Sequence, residues 1–367
     1  MNKCCLAILS IFLVTVGCKK EAHGPKIDDY FLNYDIPEVP VTADYEVGAF
    51  YYTWGTFNPG ITEVPTLGQY KAPAGLLDAG IMSKQIELAK QGGIDYFLFQ
   101  ARSWNKENGG FKEDSAIVHQ FIEANTDGKL RFALNFKFNP GAYGVNTNTP
   151  LENDGTKLSQ FFDDLDRWSA VLGDANYEKV DGKILLYMTN SNQLFSTDNK
   201  ALFKEIRKRM ADKGFDLYIV GYQERWSPPA RYLFRFEGCV DAVYEQSYSS
   251  QPNNWDRQYL LGQLMDQNWK YSKKYFADNA GIDFIPNITP AYSWTINQPN
   301  STNPEYPRTD KGALYQTLCN VAKMNASEKT RLILIDSWNN WAEDMQLEPA
   351  ESYGNLYLDI TKKEFKK

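Results

Sequence analysis

A short segment near the C-terminal end of the chain concentrates residue types that act on sugars. Residues 336–344 contain three carboxylates, two amides and two indoles, among them Asp336, Trp338, Asn340, Trp341 and Glu343. Carboxylates move protons in glycoside hydrolysis, and flat indole rings can cover the apolar C–H faces of sugars. The segment therefore predicts a glycan site. The alternative is a plain connecting loop with two core tryptophans.

An apolar run, Leu332 to Ile335, directly precedes this segment. A continuous run of Leu and Ile is typical of a strand that is covered on both faces, as in a parallel sheet. Ligands of parallel α/β folds bind at the carboxyl ends of the strands. We therefore expect the segment to lie where this strand ends and the ligand enters.

The candidate site residues lie in this segment and at the ends of other predicted strands. Glu343 is the candidate proton donor, and Asp336 or Glu245 is the candidate opposing carboxylate. Glu348, which precedes Pro349, either fixes the loop or bonds a sugar hydroxyl. The candidate sugar contacts are Asn340 and five aromatic residues, Tyr52, Trp54, Tyr292, Trp338 and Trp341. The alternative for Asp336 and Glu245 is that each carboxylate braces a loop. The alternative for each aromatic ring is that it belongs to the core.

Strand-like and helix-like segments alternate from residue 45 onward. The predicted strands are 47–52, 94–99, 131–136, 183–187, 217–221, 239–244, 284–289 and 332–335. The predicted helices are 81–91, 116–124, 158–172, 200–213, 260–277 and 313–324. Eight strands with intervening helices and no second zone of composition predict an α/β fold, a single (β/α)8 TIM barrel over residues 45–367.

The composition argues against several kinds of partner. The net charge is −7 and the pI is about 5.1, without a long basic block, so we expect no nucleic acid. No glycine-rich phosphate loop follows a predicted strand, so a nucleotide is not expected either. The chain has two histidines and no zinc-ligand spacing, which nearly excludes a histidine triad. We expect no metal and no cofactor, and an oligosaccharide or polysaccharide as the partner.

Residues 1–18 differ from the rest of the chain. Lys3 is followed by an apolar stretch that ends in Gly17 and Cys18. A small residue before cysteine at this point resembles a bacterial lipoprotein signal peptide, with cleavage before Cys18 and lipid attached to it. Residues 19–44 are polar and contain proline, which predicts a tether. We expect a lipid-anchored protein of the bacterial cell envelope, on the periplasmic or surface face of the outer membrane; the alternative is an ordinary secretory signal.

Two cysteines, Cys239 and Cys319, would remain in the mature chain. Both lie in apolar stretches and are most simply read as free, buried thiols. A disulfide between them is the alternative in an oxidising compartment.

The segment at 337–354 resembles the W-N-E-W-x-E…L/I-E-P motif of glycoside hydrolase family 99-like domains, which include bacterial WbsX-type proteins described as glycosyltransferases. The matching residues are SWNNWAE at 337–343, LEP at 347–349 and YG at 353–354. Weaker matches follow the family's order: FYYTW at 50–54, GIDYF at 93–97, VDGKILLY at 180–187 and ITPAY at 288–292. The resemblance spans residues 46 to 358.

The resemblance implies a (β/α)8 barrel that acts on α-linked glycans, with mannosides as the characterised case. It implies two carboxylates three residues apart, the second a general acid and the first an assistant to attack by the 2-hydroxyl of the sugar. Glu343 occupies the second position, whereas Asn340 occupies the first. A neutral amide cannot accept a proton as a general base, so the family mechanism does not carry over intact.

Three functions remain open from the sequence. The first is an exported glycoside hydrolase of the endo-α-mannosidase type, favoured by Glu343 and the polar strand ends. The second is a catalytically weakened surface lipoprotein that binds glycans, favoured by Asn340. The third is a WbsX-type glycosyltransferase, which an exported location disfavours because sugar-nucleotide donors are cytoplasmic.

Overall fold

The computed structural model describes residues 34–367, except 54–62, 71–75, 104–109, 248–259 and several positions between 296 and 309. The chain divides into two units, residues 1–35 and 36–367. The second unit contains every helix and strand given below. The predicted signal peptide with Cys18, and the candidate Trp54, lie outside the described residues.

Among the described residues, ten strands form one sheet. Strands β1 to β10 span Glu46–Tyr51, Tyr96–Ala101, Arg131–Lys137, Lys179–Val180, Lys183–Thr189, Leu217–Gln223, Ala242–Glu245, Asp283–Ile285, Asn287–Ile288 and Leu332–Ile335. Their order in the sheet is β8-β7-β6-β5-β3-β2-β1-β10-β9, with all neighbours parallel. The two-residue β4 lies off this path and pairs antiparallel with β5.

Strands β8 and β9 are two halves of one strand that is interrupted at Pro286. β8 pairs with β7, β9 pairs with β10, and the carbonyl of Pro286 accepts the N–H of Leu334. Proline has no N–H to donate, so it is found where a ladder is interrupted. With β8 and β9 counted as one strand and β4 left aside, the sheet closes into an eight-stranded parallel barrel. This confirms the predicted α/β (β/α)8 fold.

Nine α-helices lie in the described part of the chain. Helices α1 to α9 span Ile81–Gln91, Phe111–Ala124, Pro140–Tyr143, Gly155–Trp168, Asn199–Ala211, Leu233–Phe236, Leu261–Ala280, Ala313–Asn325 and Leu356–Phe365. The longer helices follow strands, as βα units require.

The first strand shows how side chains divide between the inside and the outside of the barrel. Tyr51 points outward, and its hydroxyl donates to Gln85 of α1 at 2.7 Å. Gly48 lies inside, where an added Cβ would come within 2.3 Å of the ring of Tyr96. The hydroxyl of Tyr96 in turn bonds that of Tyr187 across the interior at 2.8 Å. Glycine is therefore needed at position 48 for the tyrosines to fill the barrel.

Several elements differ from the sequence analysis, which did not predict β4, α3 and α6. Strand β7 begins at Ala242 rather than at Cys239, because the N–H groups of Cys239 and Val240 bond the carbonyl of Phe236 in a turn. Helix α9 was not expected at all. Its apolar residues Leu356, Leu358 and Ile360 alternate, a pattern that indicates a strand as readily as a helix.

The described end of the predicted tether lies against the barrel. The N–H of Val39 donates to Asn320 at 2.8 Å, and Lys323 of α8 donates to the carbonyl of Val39 at 2.7 Å. Cys239 and Cys319 are buried and free. None of the helices in the described residues has the length and apolar character needed to cross a membrane.

Candidate active site

A cavity of about 380 Å³ opens at the carboxyl ends of the barrel strands. Each barrel strand contributes at least one lining residue within one position of its end: Tyr52, Gln100, Lys137, Thr189, Tyr222, Tyr244, Asn287 and Asp336. Parallel strands bring these ends together on one face, which is where barrel enzymes hold their active sites. The loop after β10 contributes Glu343 and Met345 to the same cavity.

Asp336 lies immediately after β10 and is 8% exposed. Its carboxylate accepts hydrogen bonds from the hydroxyl of Ser247 at 2.7 Å and from that of Tyr52 at 3.1 Å. Burial raises the pKa of Asp336 to about 6, while both hydroxyl bonds act in the opposite direction. Two donors aimed at one carboxylate favour its ionised form above that pH.

Glu343 closes a 3-10 turn, Trp341–Glu343, and lines the cavity with Asp336. The side-chain N–H of Asn340 donates to Glu343 at 2.6 Å. Burial raises the pKa of Glu343 and the charge of Asp336 adds to the rise, whereas the bond from Asn340 lowers it. The cavity thus holds two interacting carboxyl groups, one of which discourages ionisation of the other.

Backbone hydrogen bonds fold the loop after β10 back on itself. The N–H of Leu347 donates to the carbonyls of Ser337 and Trp338, and the hydroxyl of Ser337 accepts the N–H of Asn340 at 2.8 Å. The neighbouring Asp344 is paired with Arg308 at 3.0 Å and does not line the cavity. The loop therefore presents Glu343, and not Asp344, to the cavity.

Glu348 belongs to the same loop but is completely buried outside the cavity lining. It accepts hydrogen bonds from Tyr70 at 2.5 Å, Gln85 at 2.9 Å and the indole N–H of Trp341 at 3.0 Å. Burial raises its pKa to about 7, and the three donors oppose the rise. Of its two expected roles, the geometry supports the loop anchor.

Glu245, the other candidate for the opposing carboxylate, is also completely buried outside the cavity lining. It accepts the N–H of Trp226 at 2.7 Å and both of its oxygens accept from Asn268, at 3.0 and 2.9 Å. A carboxylate held in this way braces the ends of β6 and β7. Of the two candidates, only Asp336 faces the cavity.

The expected aromatic sugar contacts separate into two groups. Tyr52 lines the cavity and stacks on Phe50, with ring centroids 4.7 Å apart. Trp338, Trp341 and Tyr292 are 0%, 5% and 1% exposed and lie outside the lining. A ring buried to this degree has no free face for a sugar, so the geometry does not support stacking at these three positions. Asn340, 3% exposed, contacts Glu343 rather than open cavity.

Several lining residues were not among the sequence candidates. Lys137 and Gln100 lie at the ends of β3 and β2, and Ser247 follows β7. These places at strand ends were the available signal. Gln100 Nε2 and Asn287 Oδ1 are buried and lack a hydrogen-bond partner within the described part of the chain. Buried polar atoms are normally paired, so one free donor and one free acceptor in a cavity point to a hydroxylated ligand.

The described residues contain no group of histidine, cysteine and acidic side chains that could hold a metal ion. The described lining of the cavity contains two carboxyl groups, hydroxyls, amides and one lysine. Glycoside hydrolysis uses a pair of carboxyl groups, and this lining contains such a pair, Asp336 and Glu343.

The barrel and its cavity place the protein among glycoside hydrolase-like proteins. A solved structure described as a glycoside hydrolase-like protein is 31% identical, covers 93% of this chain and 99% of its own, and superposes with a TM-score of 0.81. The family model described as Glycosyltransferase WbsX matches residues 64–361. The chain belongs to this WbsX family.

More distant solved structures share the fold. The family 99 endo-α-mannosidase from Bacteroides thetaiotaomicron is 18% identical, with a TM-score of 0.64 over 88% of this chain and 97% of its own. The catalytic domain of a Bacillus sp. JAMB-750 family 26 endo-β-1,4-mannanase is 14% identical, with a TM-score of 0.53 over 87% and 86%. Identities this low establish the fold alone. No curated protein matches the chain.

Proposed function

We propose that the protein is an exported glycoside hydrolase that cleaves α-linked glycans, with α-mannosides as the first substrates to test. The observation that carries the proposal is the pair Asp336 and Glu343, two interacting carboxyl groups with raised pKa values that line one cavity. Glycoside hydrolysis needs a proton donor and an opposing carboxylate.

Glu343 is the general acid in this proposal. Burial and the charge of Asp336 both favour its protonated form, which can give a proton to the leaving glycosidic oxygen. Asp336 is the opposing carboxylate. Its two hydroxyl donors hold it in place, and in the ionised form it stabilises the positive charge that develops at the anomeric carbon and assists attack there.

Asn340 orients the acid. Its N–H points at Glu343 at 2.6 Å, so the amide acts as a donor where the related motif has a carboxylate. An amide cannot take a proton from a sugar hydroxyl. The attack assisted by the 2-hydroxyl that the resemblance implies therefore has no base at position 340, and Asp336 takes the part of the first, missing carboxylate of the motif.

The test is a hydrolysis screen of α-linked oligosaccharides, α-mannosides first, with analysis of the products. Hydrolysis releases free reducing ends, whereas a glycosyltransferase would elongate an acceptor only when an activated sugar donor is supplied. We expect the parent to hydrolyse at least one α-linked substrate, and Glu343→Gln to lose about two to four orders of magnitude in turnover while still binding it. Turnover that survives Glu343→Gln unchanged would refute the assignment of the acid.

Asn340 favours one second candidate, a glycan-binding protein with weakened catalysis. On that reading the parent cleaves no member of the panel, and Glu343→Gln changes affinity only modestly. Asn340→Glu restores the carboxylate pair of the related motif and should create or raise α-mannosidase activity when the rest of the site is intact. The matched control is Asn340→Gln, which has the side-chain length of Glu but no charge.

The same proposal includes a lipid anchor at Cys18, which rests on the sequence Gly17-Cys18 after the apolar stretch. Cys18→Ala should block acylation and move the protein from the membrane fraction to the soluble fraction. Cys239→Ala, which changes a buried thiol of the barrel, should leave the partition unchanged. Identical partition of the Cys18 variant and the parent would show that the anchor lies elsewhere or is absent.

A further inference from the structure

Two amide side chains of the cavity lining have polar atoms without a partner. Gln100 and Asn287 line the cavity and are 1% and 2% exposed. Within the described part of the chain, Nε2 of Gln100 and Oδ1 of Asn287 have no hydrogen-bond partner. The other polar atom of Asn287, Nδ2, donates to the carbonyl of Glu245 at 3.1 Å, which holds the amide in place. The lining therefore contains one donor and one acceptor that a ligand can satisfy.

The two amides lie on either side of the proposed catalytic carboxylate. The sheet runs β2-β1-β10-β9, with Gln100 on β2, Asn287 on β9 and Asp336 directly after β10. Asn287 is level with Leu334 of β10, and the N–H of Asp336 continues this ladder by donating to the carbonyl of Ile288 at 2.8 Å. Asp336 is thus two residues beyond Asn287, on the same face and about 7 Å nearer the cavity mouth. A sugar that faces Asp336 has one of the amides on each side.

Neighbouring polar side chains satisfy one another, in contrast to these two amides. Asn135 is level with Gln100 on the next strand, and it bonds Thr189 at 2.6 Å through its N–H and at 2.8 Å through its oxygen. The hydroxyl of Thr189 also bonds that of Tyr244 at 2.6 Å. A buried polar atom that lacks a partner costs folding free energy, which a bound ligand can offset. Gln100 and Asn287 are therefore the amides whose bonding a ligand would complete.

We infer that Gln100 and Asn287 determine which sugar the cavity accepts. Gln100 donates to an oxygen of the sugar that faces Asp336, and Asn287 accepts from one of its hydroxyls. Oδ1 of Asn287 can only accept, as can the ionised carboxylate of Asp336, so this side of the cavity requires O–H groups. A methyl, acyl or sulfate substituent on the oxygen that meets Asn287 is excluded. These are specificity residues of the proposed hydrolase, and their role rests on the proposed use of this cavity.

The test measures binding, so that it does not depend on turnover. The Glu343→Gln protein is titrated calorimetrically with three neutral disaccharides, α-mannobiose, maltose and α-galactobiose. The disaccharide that binds most tightly is then compared with its 2-, 3-, 4- and 6-deoxy derivatives at the non-reducing sugar. We expect the loss of a hydroxyl that meets Gln100 or Asn287 to weaken binding by about tenfold or more, because the buried amide is then left unpaired. At the position that meets Asn287, the O-methyl derivative should bind no better than the deoxy derivative.

Variants made in the Glu343→Gln protein decide whether the two amides are the cause. Gln100→Met keeps the length of the side chain, and Asn287→Leu keeps its shape. Each variant should bind one deoxy derivative and its parent disaccharide equally, within about twofold, while still discriminating at the hydroxyl that the other amide contacts. Gln91→Met, at an exposed glutamine that ends α1, should change nothing.

Unfolding of the free variants separates a binding role from a structural one. Gln100→Met removes an unpaired donor, so its midpoint of urea unfolding should be equal to that of the parent or higher. Asn287→Leu also loses the bond to the carbonyl of Glu245 and should unfold at lower urea. Gln100→Met alone decides the question where Asn287→Leu does not fold.

The outcomes separate this inference from the proposed function. Equal binding of every deoxy derivative and its parent, or discrimination that survives in Gln100→Met, would overturn the inference while leaving the proposed function standing. A marked fall in the unfolding midpoint of Gln100→Met would also overturn it, because Gln100 would then be a structural residue. Binding of none of the three disaccharides would overturn the inference together with the proposed preference for α-linked glycans.

Discussion

Four acidic residues at the carboxyl end of the barrel form two contrasting pairs. Asp336 and Glu343 line the cavity, whereas Glu245 and Glu348 are completely buried outside its lining and are held by N–H and O–H donors. Glu343 and Glu348 lie only five residues apart on one loop. Access to the cavity, and not place in a motif, separates acids available for chemistry from acids that brace the structure.

A raised pKa does not make this distinction. Burial raises the pKa of the sealed Glu348 to about 7, which is more than it does for the cavity-facing Asp336, at about 6. At the opposite end of the barrel, burial raises the pKa of Glu46 to about 7 and that of Glu178 to about 8. Those two are paired with Arg131 at 2.7 and 3.1 Å, at the opposite end from the carboxyl ends of the parallel strands. Perturbed acids mark a functional site only where a ligand can reach them.

The largest expected effect is on turnover, at the cavity-facing pair. Asp336→Asn removes the opposing charge and should lower turnover by about two to four orders of magnitude. Ser247 and Tyr52 bond different oxygens of Asp336. The amide oxygen of Asn can accept from one of these hydroxyls and its NH2 group can donate to the other, so the free energy of unfolding should change by less than about 1 kcal/mol. Steady-state kinetics measure the turnover, and urea unfolding measures the free energy of unfolding. The control is Asp359→Asn, at an exposed position on α9, which should alter neither quantity.

Substitution of Glu348, which is buried outside the cavity, should lower stability and leave turnover nearly unchanged. Glu348→Ala leaves donors of Tyr70, Gln85 and Trp341 without an acceptor and should destabilise the protein by about 3 kcal/mol. Turnover per folded molecule should stay within about tenfold of the parent, because no reacting group is removed. The matched control is Glu351→Ala, an exposed acid nearby. A stable Glu348→Ala protein that has lost all activity would place Glu348 in the chemistry after all.

The smallest expected effect is a change in pH dependence. Asp336 must be ionised to act, so activity should fall as the pH drops through about 6. Ser247→Ala removes a bond that lowers the pKa of Asp336, so the acidic limb of the pH–rate profile should move to higher pH by about one unit or less. Ser352→Ala, at an exposed serine, is the control. A limb that moves to lower pH would contradict the role of the hydroxyl.

Much of the fold could be predicted from the sequence. Helix α1 and strand β10 agree with the prediction residue by residue, because the first is bounded by Gly80 and Gly92 and the second is a pure apolar run. Strand β7 and helix α9 could not be placed as well. A turn held by Phe236 takes the residues expected to begin β7, and the alternation at Leu356, Leu358 and Ile360 hides the helix.

The site was only partly predictable, for a physical reason. Asp336 and Glu343 were expected near the strand end and do line the cavity, since the strand's direction fixes where the following residues lie. Glu348 has the same local appearance, but it is sealed by Gln85, which is 263 residues away in the chain. Lys137 gave no signal beyond its place at a strand end. Donors and cations that come from distant strands are set by the closed barrel, so a linear motif does not show them.

The most direct test of this account compares Glu343→Gln with Glu348→Gln on one substrate that the parent cleaves. The quantity to measure is turnover per folded molecule, with the folded fraction taken from unfolding curves at the assay temperature. The account predicts that Glu343→Gln loses about two orders of magnitude or more and that Glu348→Gln stays within about tenfold of the parent. Turnover that is retained by Glu343→Gln, or lost by a fully folded Glu348→Gln, would contradict it.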